Sequence, residues 1–378
     1  MPLADEINYT THLSSSDDAR KRVLIFFIPG NPGLVEYYRH FLEIIRKRLN
    51  DRVSHTGTQY YISGGSLAGF DVCRGSRRVP TTNQSLPLSL DDQVEDVYAR
   101  LQATVARLRA ENDIHGDLPV VVMGHSIGAY MVLETVAKWK KLAKQGPTNM
   151  SISAGLCLFP TIFELFLSPM GRQVGVRTMH CFALILETDS DDVSQPLTKI
   201  PAFALIVHTI AKILFYFAPL AVVSWLVQLI TGMPYAGANV TAQFLQSKYG
   251  VRQALHMAKD ELSQLTHDKW SDDFWGTSST TISAAVGKSA DEDAGTAIAP
   301  RQHTQLCFYW GSHDHWIAQE TRDKIIQNRA KVEGQAGNER KPIMEVDSNG
   351  IGHAFCLSED GNQIVAAKCA DWIEGLAR

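Results

Sequence analysis

Three residues far apart in this 378-residue chain have the types, the order and the local settings that covalent catalysis by serine requires: Ser126, Asp314 and His353. Ser126 lies in Gly124-His125-Ser126-Ile127-Gly128, behind the apolar run Val120-Val121-Val122-Met123 and ahead of a helix-forming stretch. The pentapeptide alone is a weak signal. A β-branched run leading in and a helix leading out give it the form of a nucleophile elbow, a strand-to-helix corner that presents a serine hydroxyl at the carboxyl end of a parallel sheet. Glycines on either side leave room for the backbone to turn so tightly.

A serine hydroxyl attacks an ester when a base takes its proton, an acid holds that base, and N–H donors receive the negative charge that develops on the carbonyl oxygen. Beside such an elbow the acid and then the histidine follow the serine in chain order. Asp314 comes just after the apolar run Leu306 to Trp310, in Gly311-Ser312-His313-Asp314-His315, and His353 sits in the glycine-bounded Asn349-Gly350-Ile351-Gly352-His353. Both positions are loops that follow a strand, at the sheet edge where the elbow opens. Asp347 and, more remotely, Glu164 compete for the acid's place. His313 and His315 flank the acid too closely to fold back on it as base. His-Asp-His also has the look of a metal-site fragment, but no further ligand cluster accompanies it, and the serine chemistry needs no cofactor. Ser66 follows a strand too, yet no helix follows it, so it reads as a loop serine.

The oxyanion donors expected are the N–H of Ile127 and one from Pro29-Gly30-Asn31-Pro32, the turn after the first core strand. Pro32 has no N–H. Asn31 is therefore the natural second donor, with Gly30 the alternative.

The elements that must position these residues follow from hydrophobic spacing. Arg22 to Ile28 is a continuous apolar run, as expected for a strand covered on both faces. Tyr37, Phe41, Ile44, Ile45 and Leu49 then repeat at helical spacing, and Gln59 to Ile62 is the next strand. Ser89 with Asp92 predicts a capping box opening a helix whose apolar face is Val94, Val97, Leu101, Val105 and Leu108. A helix over Ala129 to Lys144 follows the elbow, and Gly155 to Phe159 reads as another buried strand. Near the end come a strand at Gln305 to Trp310, a helix near Thr321 to Lys331, a strand at Pro342 to Val346 and a helix over Asn362 to Leu376. Alternation of this kind predicts an α/β protein with a mostly parallel sheet flanked by helices. Residues 1–20 read as a polar lead-in.

The alternation stops between residues 161 and 300, too long a stretch for a loop in a compact domain. The organisation expected is a core split into 1–160 and 301–378, with an inserted, largely helical cap over 161–300. That insertion holds an acidic loop (Glu187 to Asp192), an apolar segment around 203–230 and a Ser-, Thr-, Ala- and Gly-rich stretch over 276–300 expected to be flexible. Ile213 to Val227 is apolar apart from Ser224 and is interrupted by Pro219. Two short helices that enter a lipid surface and return explain that proline better than a spanning helix; an internal cap lining an acyl pocket is the alternative.

Composition narrows the partners. The 36 basic and 40 acidic side chains sum to −4 and are well mixed, so no basic stripe argues for nucleic acid. The six cysteines form no C-x-x-C pair and mostly fall in apolar runs, which predicts buried reduced thiols. Residues 1–21 are polar and lack the apolar stretch of a signal peptide.

Taken together, Ile28-Pro29-Gly30-Asn31-Pro32-Gly33 with Tyr37-Tyr38 and Phe41, Gly124 to Tyr130, the Gly311 to Asp314 loop and Gly352-His353-Ala354-Phe355 resemble the lipid droplet-associated hydrolase family of serine hydrolases. The resemblance implies an α/β-hydrolase fold and a triad of Ser126, Asp314 and His353. It also implies residence on lipid droplets and the endoplasmic reticulum membrane, with neutral lipid esters, sterol esters included, as substrates. The stretch before Pro300 and the insertion from Gly334 to Lys341 depart from shorter family members. Two other functions remain open at this stage: a droplet-bound organising protein with an idle hydrolase site, and an esterase for small soluble acyl compounds.

Overall fold

In the computed structural model of the protein, residues 3–12, 21–72, 85–172, 218–277, 303–332 and 340–377 are described. The acidic loop Glu187 to Asp192, the apolar segment as far as residue 217, positions 278–300 of the Ser- and Ala-rich stretch, and residues 334–339 lie outside them.

One seven-stranded sheet organises the described chain. Its strands are β1 (Glu6–Thr10), β2 (Lys21–Ile28), β3 (Thr58–Gly65), β4 (Leu118–His125), β5 (Met150–Leu158), β6 (Gln305–Trp310) and β7 (Ile343–Val346), in the order β1-β3-β2-β4-β5-β6-β7. All neighbours pair in parallel except β1, which runs antiparallel to β3 with Ile7 opposite Gly64. The expected polar lead-in is thus in part an edge strand. Only one side of β1 packs, through Ile7 and the half-buried Tyr9, and the strand leaves little trace in the sequence.

The strand residues sort by alternation into two apolar layers. Leu24, Phe26, Val120, Val122, Leu306 and Phe308 face one side, with α2 (Leu90–Glu111) and α3 (Ile127–Ala143). Ile25, Phe27, Val121, Met123, Leu156 and Cys307 face the other, with α1 (Arg39–Thr56) and, from the chain's end, α9 (Glu359–Ala377). The Ser89 cap of α2 forms as read: its Oγ accepts from Asp92 N–H at 3.2 Å, and Asp92 Oδ2 accepts from Ser89 N–H at 3.3 Å. Cys157, Cys307 and Cys369 are buried free thiols. This sheet, covered on both sides and opening its elbow between β4 and α3, is an α/β-hydrolase fold.

The described part of the insertion is helical: α4 (Leu220–Thr231), α5 (Tyr235–Gln246), α6 (Gly250–Gln264) and the single turn α7 (Asp272–Trp275); the core resumes with β6, and α8 (Gln319–Arg329) follows it. Pro219 stands immediately before α4 and the bend comes later, at residues 232–234, where α4 and α5 meet at 118°. Among the described residues no single helix is long and apolar enough to cross a membrane. On α6 the buried stripe is Gln253, Met257 and Glu261, so a carboxyl sits on the inward face of an otherwise amphipathic helix.

Burial raises the Glu261 carboxyl from 4.5 to about 7; the Asn31 amide that donates to it opposes the shift, and the nearby Asp260 adds to it. At 1.36 kcal/mol per pKa unit this corresponds to ~3 kcal/mol. The unfolded chain releases this proton at lower pH than the folded one, so stability falls as pH rises through this window and stays lowered above pH 7. Glu261→Gln should therefore be more stable than wild type at pH 8 by up to ~3 kcal/mol, with the gap closing towards pH 5. Denaturant melts of both proteins at the two pH values measure it; a gap that does not change with pH would exclude a folded-state carboxyl titrating near neutrality.

Candidate active site

The residues singled out at the sequence level converge because parallel strands bring their carboxyl ends to one edge. In register, Ile28 lies beside Gly124, His125 beside Leu158, and Leu158 beside Tyr309. The loops after β2, β4, β5, β6 and β7 therefore crowd one rim.

At the elbow, Ser126 takes φ 55° and ψ −124°, a conformation L side chains rarely adopt. Two glycines make room for it. A Cβ on Gly128 would lie 2.5 Å from the Ile28 carbonyl oxygen and 2.7 Å from that of Pro29; on Gly30 it would lie 3.0 Å from the Ser126 Cβ. The corner is tied down on both sides: Ser126 N–H donates to Leu158 O at 2.9 Å, and Ser126 O accepts from Ala129 N–H at 2.9 Å.

Ser126 Oγ is 2.9 Å from His353 Nε2, and His353 Nδ1 is 2.7 Å from Asp314 Oδ2. The directions follow from what each group can give. A carboxylate only accepts, so Nδ1–H donates to Asp314, which leaves Nε2 to accept the serine proton. β6 lies two places from β4 in the sheet, a gap of ~10 Å that an imidazole bonded at both ends can bridge. Asp314 is nearly enclosed, and its other oxygen accepts from Trp316 N–H at 2.8 Å. Arg322 on α8 fixes that loop by donating to the carbonyls of Gly311 and Ser312, both at 2.9 Å.

The competing acids are occupied elsewhere. Asp347 accepts from Tyr309 Oη at 2.8 Å and from the N–H groups of Ile351 at 2.7 Å and Asn349 at 3.1 Å. Burial would raise its carboxyl, but these bonds outweigh it and hold the group below the ordinary aspartate value. Asp347 thus shapes the loop that carries His353. Glu164 accepts from Thr321 Oγ1 at 2.6 Å. His313 and His315 are exposed. Ser66 accepts from Val35 N–H at 3.2 Å, as befits a loop serine.

On the donor side, Ile127 opens α3, where the first N–H groups have no partner within the helix. The Gly30 N–H, the alternative second donor, already donates to Tyr38 Oη at 3.1 Å. The Asn31 side chain turns to the cap, with Nδ2 donating to Ala254 O and Glu261 Oε1, both at 3.0 Å.

Sequence reading gave no role to Tyr38, His125 or Glu261. Tyr38 Oη, which accepts from Gly30, is 2.7 Å from His125 Nδ1, and His125 Nε2 is 2.9 Å from the His353 carbonyl. A carbonyl can only accept, so Nε2 carries the hydrogen and the Tyr38 hydroxyl donates to Nδ1. Desolvation in this enclosed position, with the neighbouring His353 adding to it, pushes His125 well below the usual imidazole value. His125 is thus a neutral link joining the loop after β2, the elbow and the His353 loop. Its position inside the elbow motif was the available signal. For Glu261 the signal was a charged residue in register with Gln253 and Met257 on the buried stripe of its helix.

With this geometry in place, comparison with known proteins fixes the family. The family model described as lipid-droplet associated hydrolase matches residues 21–356. A mouse (Mus musculus) relative named lipid droplet-associated hydrolase is 23% identical over 373 residues, covering 97% of this chain and 89% of its own. The chicken (Gallus gallus) protein of the same name is 25% identical over 366 residues, covering 95% and 87%. Among solved structures, a peroxisomal alpha-beta-hydrolase from Saccharomyces cerevisiae aligns over 99% of this chain and 88% of its own at 8% identity and a TM-score of 0.48, too distant to bear on chemistry. The chain belongs to the lipid-droplet associated hydrolase family.

Proposed function

We propose that this hydrolase cleaves carboxylic esters of lipids, sterol esters or acylglycerols, at the surface of lipid droplets and at the cytosolic face of the endoplasmic reticulum membrane. The observation that carries the chemistry is the hydrogen-bonded chain from Ser126 through His353 to Asp314. In this reading His353 Nε2 takes the Ser126 proton as Oγ attacks the ester carbonyl. Asp314 holds the imidazole in the required tautomer and offsets the charge it gains. The N–H groups of Ile127 and Asn31 receive the oxyanion, each donor worth ~10²–10³ in rate. The imidazolium protonates the departing alcohol, and water, deprotonated by His353, then releases the acid from the acyl-enzyme.

The lipid surface is supported by α4. Its inner face, Val223 and Val227, packs with Ala238 and Ala242 of α5. Its outer face leaves Val222, Trp225, Leu229 and Ile230 in the open, Ile230 at 77% exposure, with Tyr235 beyond the bend at 62%. Large apolar side chains gathered on one helix face, with a tryptophan among them, suit the boundary between headgroups and acyl chains. The relatives' printed names associate them with lipid droplets, and the α4 face gives this chain a means of getting there.

Ser126→Ala should abolish fluorophosphonate labelling and lower hydrolysis of emulsified esters by ~10⁴-fold or more, while Asp314→Asn should cost ~10³-fold or more. Labelling that persists in Ser126→Ala would sink the assignment. Turnover that is equally slow in wild type and mutant would favour an organising role over catalysis. Substituting Trp225, Leu229 and Ile230 together by Ser should release the protein from phospholipid-coated triolein droplets in flotation while hydrolysis of a soluble short-chain ester is retained. Undiminished flotation would place lipid contact elsewhere.

A further inference from the structure

The loop expected to supply the second oxyanion donor is held to the core by Gly30 N–H to Tyr38 Oη at 3.1 Å, Val35 N–H to Ser66 Oγ at 3.2 Å and Leu67 N–H to Gly33 O at 2.7 Å. At Asn31 and Tyr37 its polar anchoring comes from the inserted cap. Asn31 Nδ2 donates both to the Ala254 carbonyl and to Glu261 Oε1 on α6. Six residues further along the same loop, the Tyr37 hydroxyl is 2.7 Å from Thr241 Oγ1 on α5. Thr241 spends its own hydrogen on the Gly237 carbonyl at 2.9 Å, so Tyr37 is the donor. Glu261 is almost wholly enclosed, at 5% exposure, where a carboxyl is rarely found without a partner.

Pro29 and Pro32 restrict the loop, but Gly30 puts a flexible joint immediately before Asn31. Its N–H points usefully at Ser126 only if something fixes the Asn31 residue. Resting on the serine-hydrolase reading above, we infer that Glu261 is a positioning residue for the oxyanion loop: from the cap it grips the Asn31 side chain and thereby sets the direction of the Asn31 N–H. The cap is then part of the catalytic apparatus, and a carboxyl 135 residues beyond the nucleophile governs transition-state stabilisation without touching substrate.

A loosened donor loop weakens binding of the oxyanion, which exists only along the reaction path, and spares ground-state binding. The test is steady-state hydrolysis of p-nitrophenyl butyrate by the full-length protein, with kcat expressed per active site counted by end-point fluorophosphonate labelling and Ser126→Ala as blank. Glu261→Ala and Asn31→Ala should each lower kcat by ~10–100-fold and leave KM within about threefold. Glu261→Gln, which keeps an oxygen to accept from Asn31 Nδ2, should restore most of the loss. The Asn31→Ala/Glu261→Ala pair should be no slower than Asn31→Ala alone, because that substitution already removes the contact that Glu261→Ala breaks. The inference is overturned if Glu261→Ala or Asn31→Ala keeps kcat per labelled site within about twofold of wild type, or if their losses multiply in the double variant. Should Glu261→Ala fail to fold, Asn31→Ala and Glu261→Gln still decide it. A wild-type protein that does not label at Ser126 would overturn the underlying reading as well, whereas a labelled, active wild type beside an indifferent Glu261→Ala removes the role of Glu261 alone.

Discussion

The backbone at Ser126 is the constraint around which this molecule is built. A non-glycine residue held at φ 55° costs about 1–3 kcal/mol and persists only where its surroundings leave no alternative. Here β4 enters the corner already paired on both sides, with β2 and β5, and α3 leaves it packed against the same sheet. Neither element can rotate to relax the serine without breaking the ladder or the apolar layer. Gly128 lets the start of α3 pass under the carbonyls of Ile28 and Pro29, so the strained corner and the loop after β2 are fixed by one contact. The hydroxyl is consequently presented in one direction, and every other group in the site is placed relative to it.

Around that corner the fold divides its labour by rigidity. Ser126, Asp314 and His353 all hang from ends of the same sheet, whose register sets their spacing, and each flanking loop has its own anchor: Leu158 for the elbow, Arg322 for the Asp314 loop, Asp347 for the His353 loop. The loop after β2 differs, because much of its support comes from helices inserted more than 200 residues later in the chain. Of the helices that steady this loop, α5 packs on α4, which exposes Trp225, Leu229 and Ile230, and α6 follows α5 directly. The apolar face proposed to meet lipid and the contacts that hold the loop after β2 therefore belong to one run of helices.

What the sequence disclosed, and what it concealed, follows from the range of the interactions involved. The strands buried on both faces, β2, β4, β5 and β6, were legible because continuous apolar runs can satisfy no other environment. The cap of α2 was legible because Ser89 and Asp92 act on their own local backbone. Ser126, Asp314 and His353 stood out as chemistry-bearing residues beside strand ends, and the structure brings them within hydrogen-bonding distance. The edge strand β1 was missed because its only strong apolar signal is Ile7. Glu261 was missed because the meaning of a glutamate depends on the helix face it occupies and on a partner 230 positions away. Tyr38 and His125 looked like ordinary members of motifs; their alignment into one hydrogen-bonded link is a product of sheet order.

That link also bears on where positive charge can reside. The rings of His125 and His353 are 4.9 Å apart between centroids, close enough that two imidazolium ions would repel strongly in so enclosed a place. In the proposed reaction His353 must gain a proton as Ser126 attacks, so a charged His125 would oppose the step it stands beside. The structure holds His125 neutral in two ways. Burial disfavours its charged form, and Nδ1 is engaged as the acceptor of the Tyr38 hydroxyl, so a second proton would have to displace that bond. With His125 kept neutral, its remaining N–H is committed to the His353 carbonyl and steadies the loop of the residue that changes charge in the proposed reaction. An imidazole here supplies what an aliphatic side chain could not, a rigid donor and acceptor on opposite sides of one ring, and its neutrality leaves the stabilisation by Asp314 uncontested.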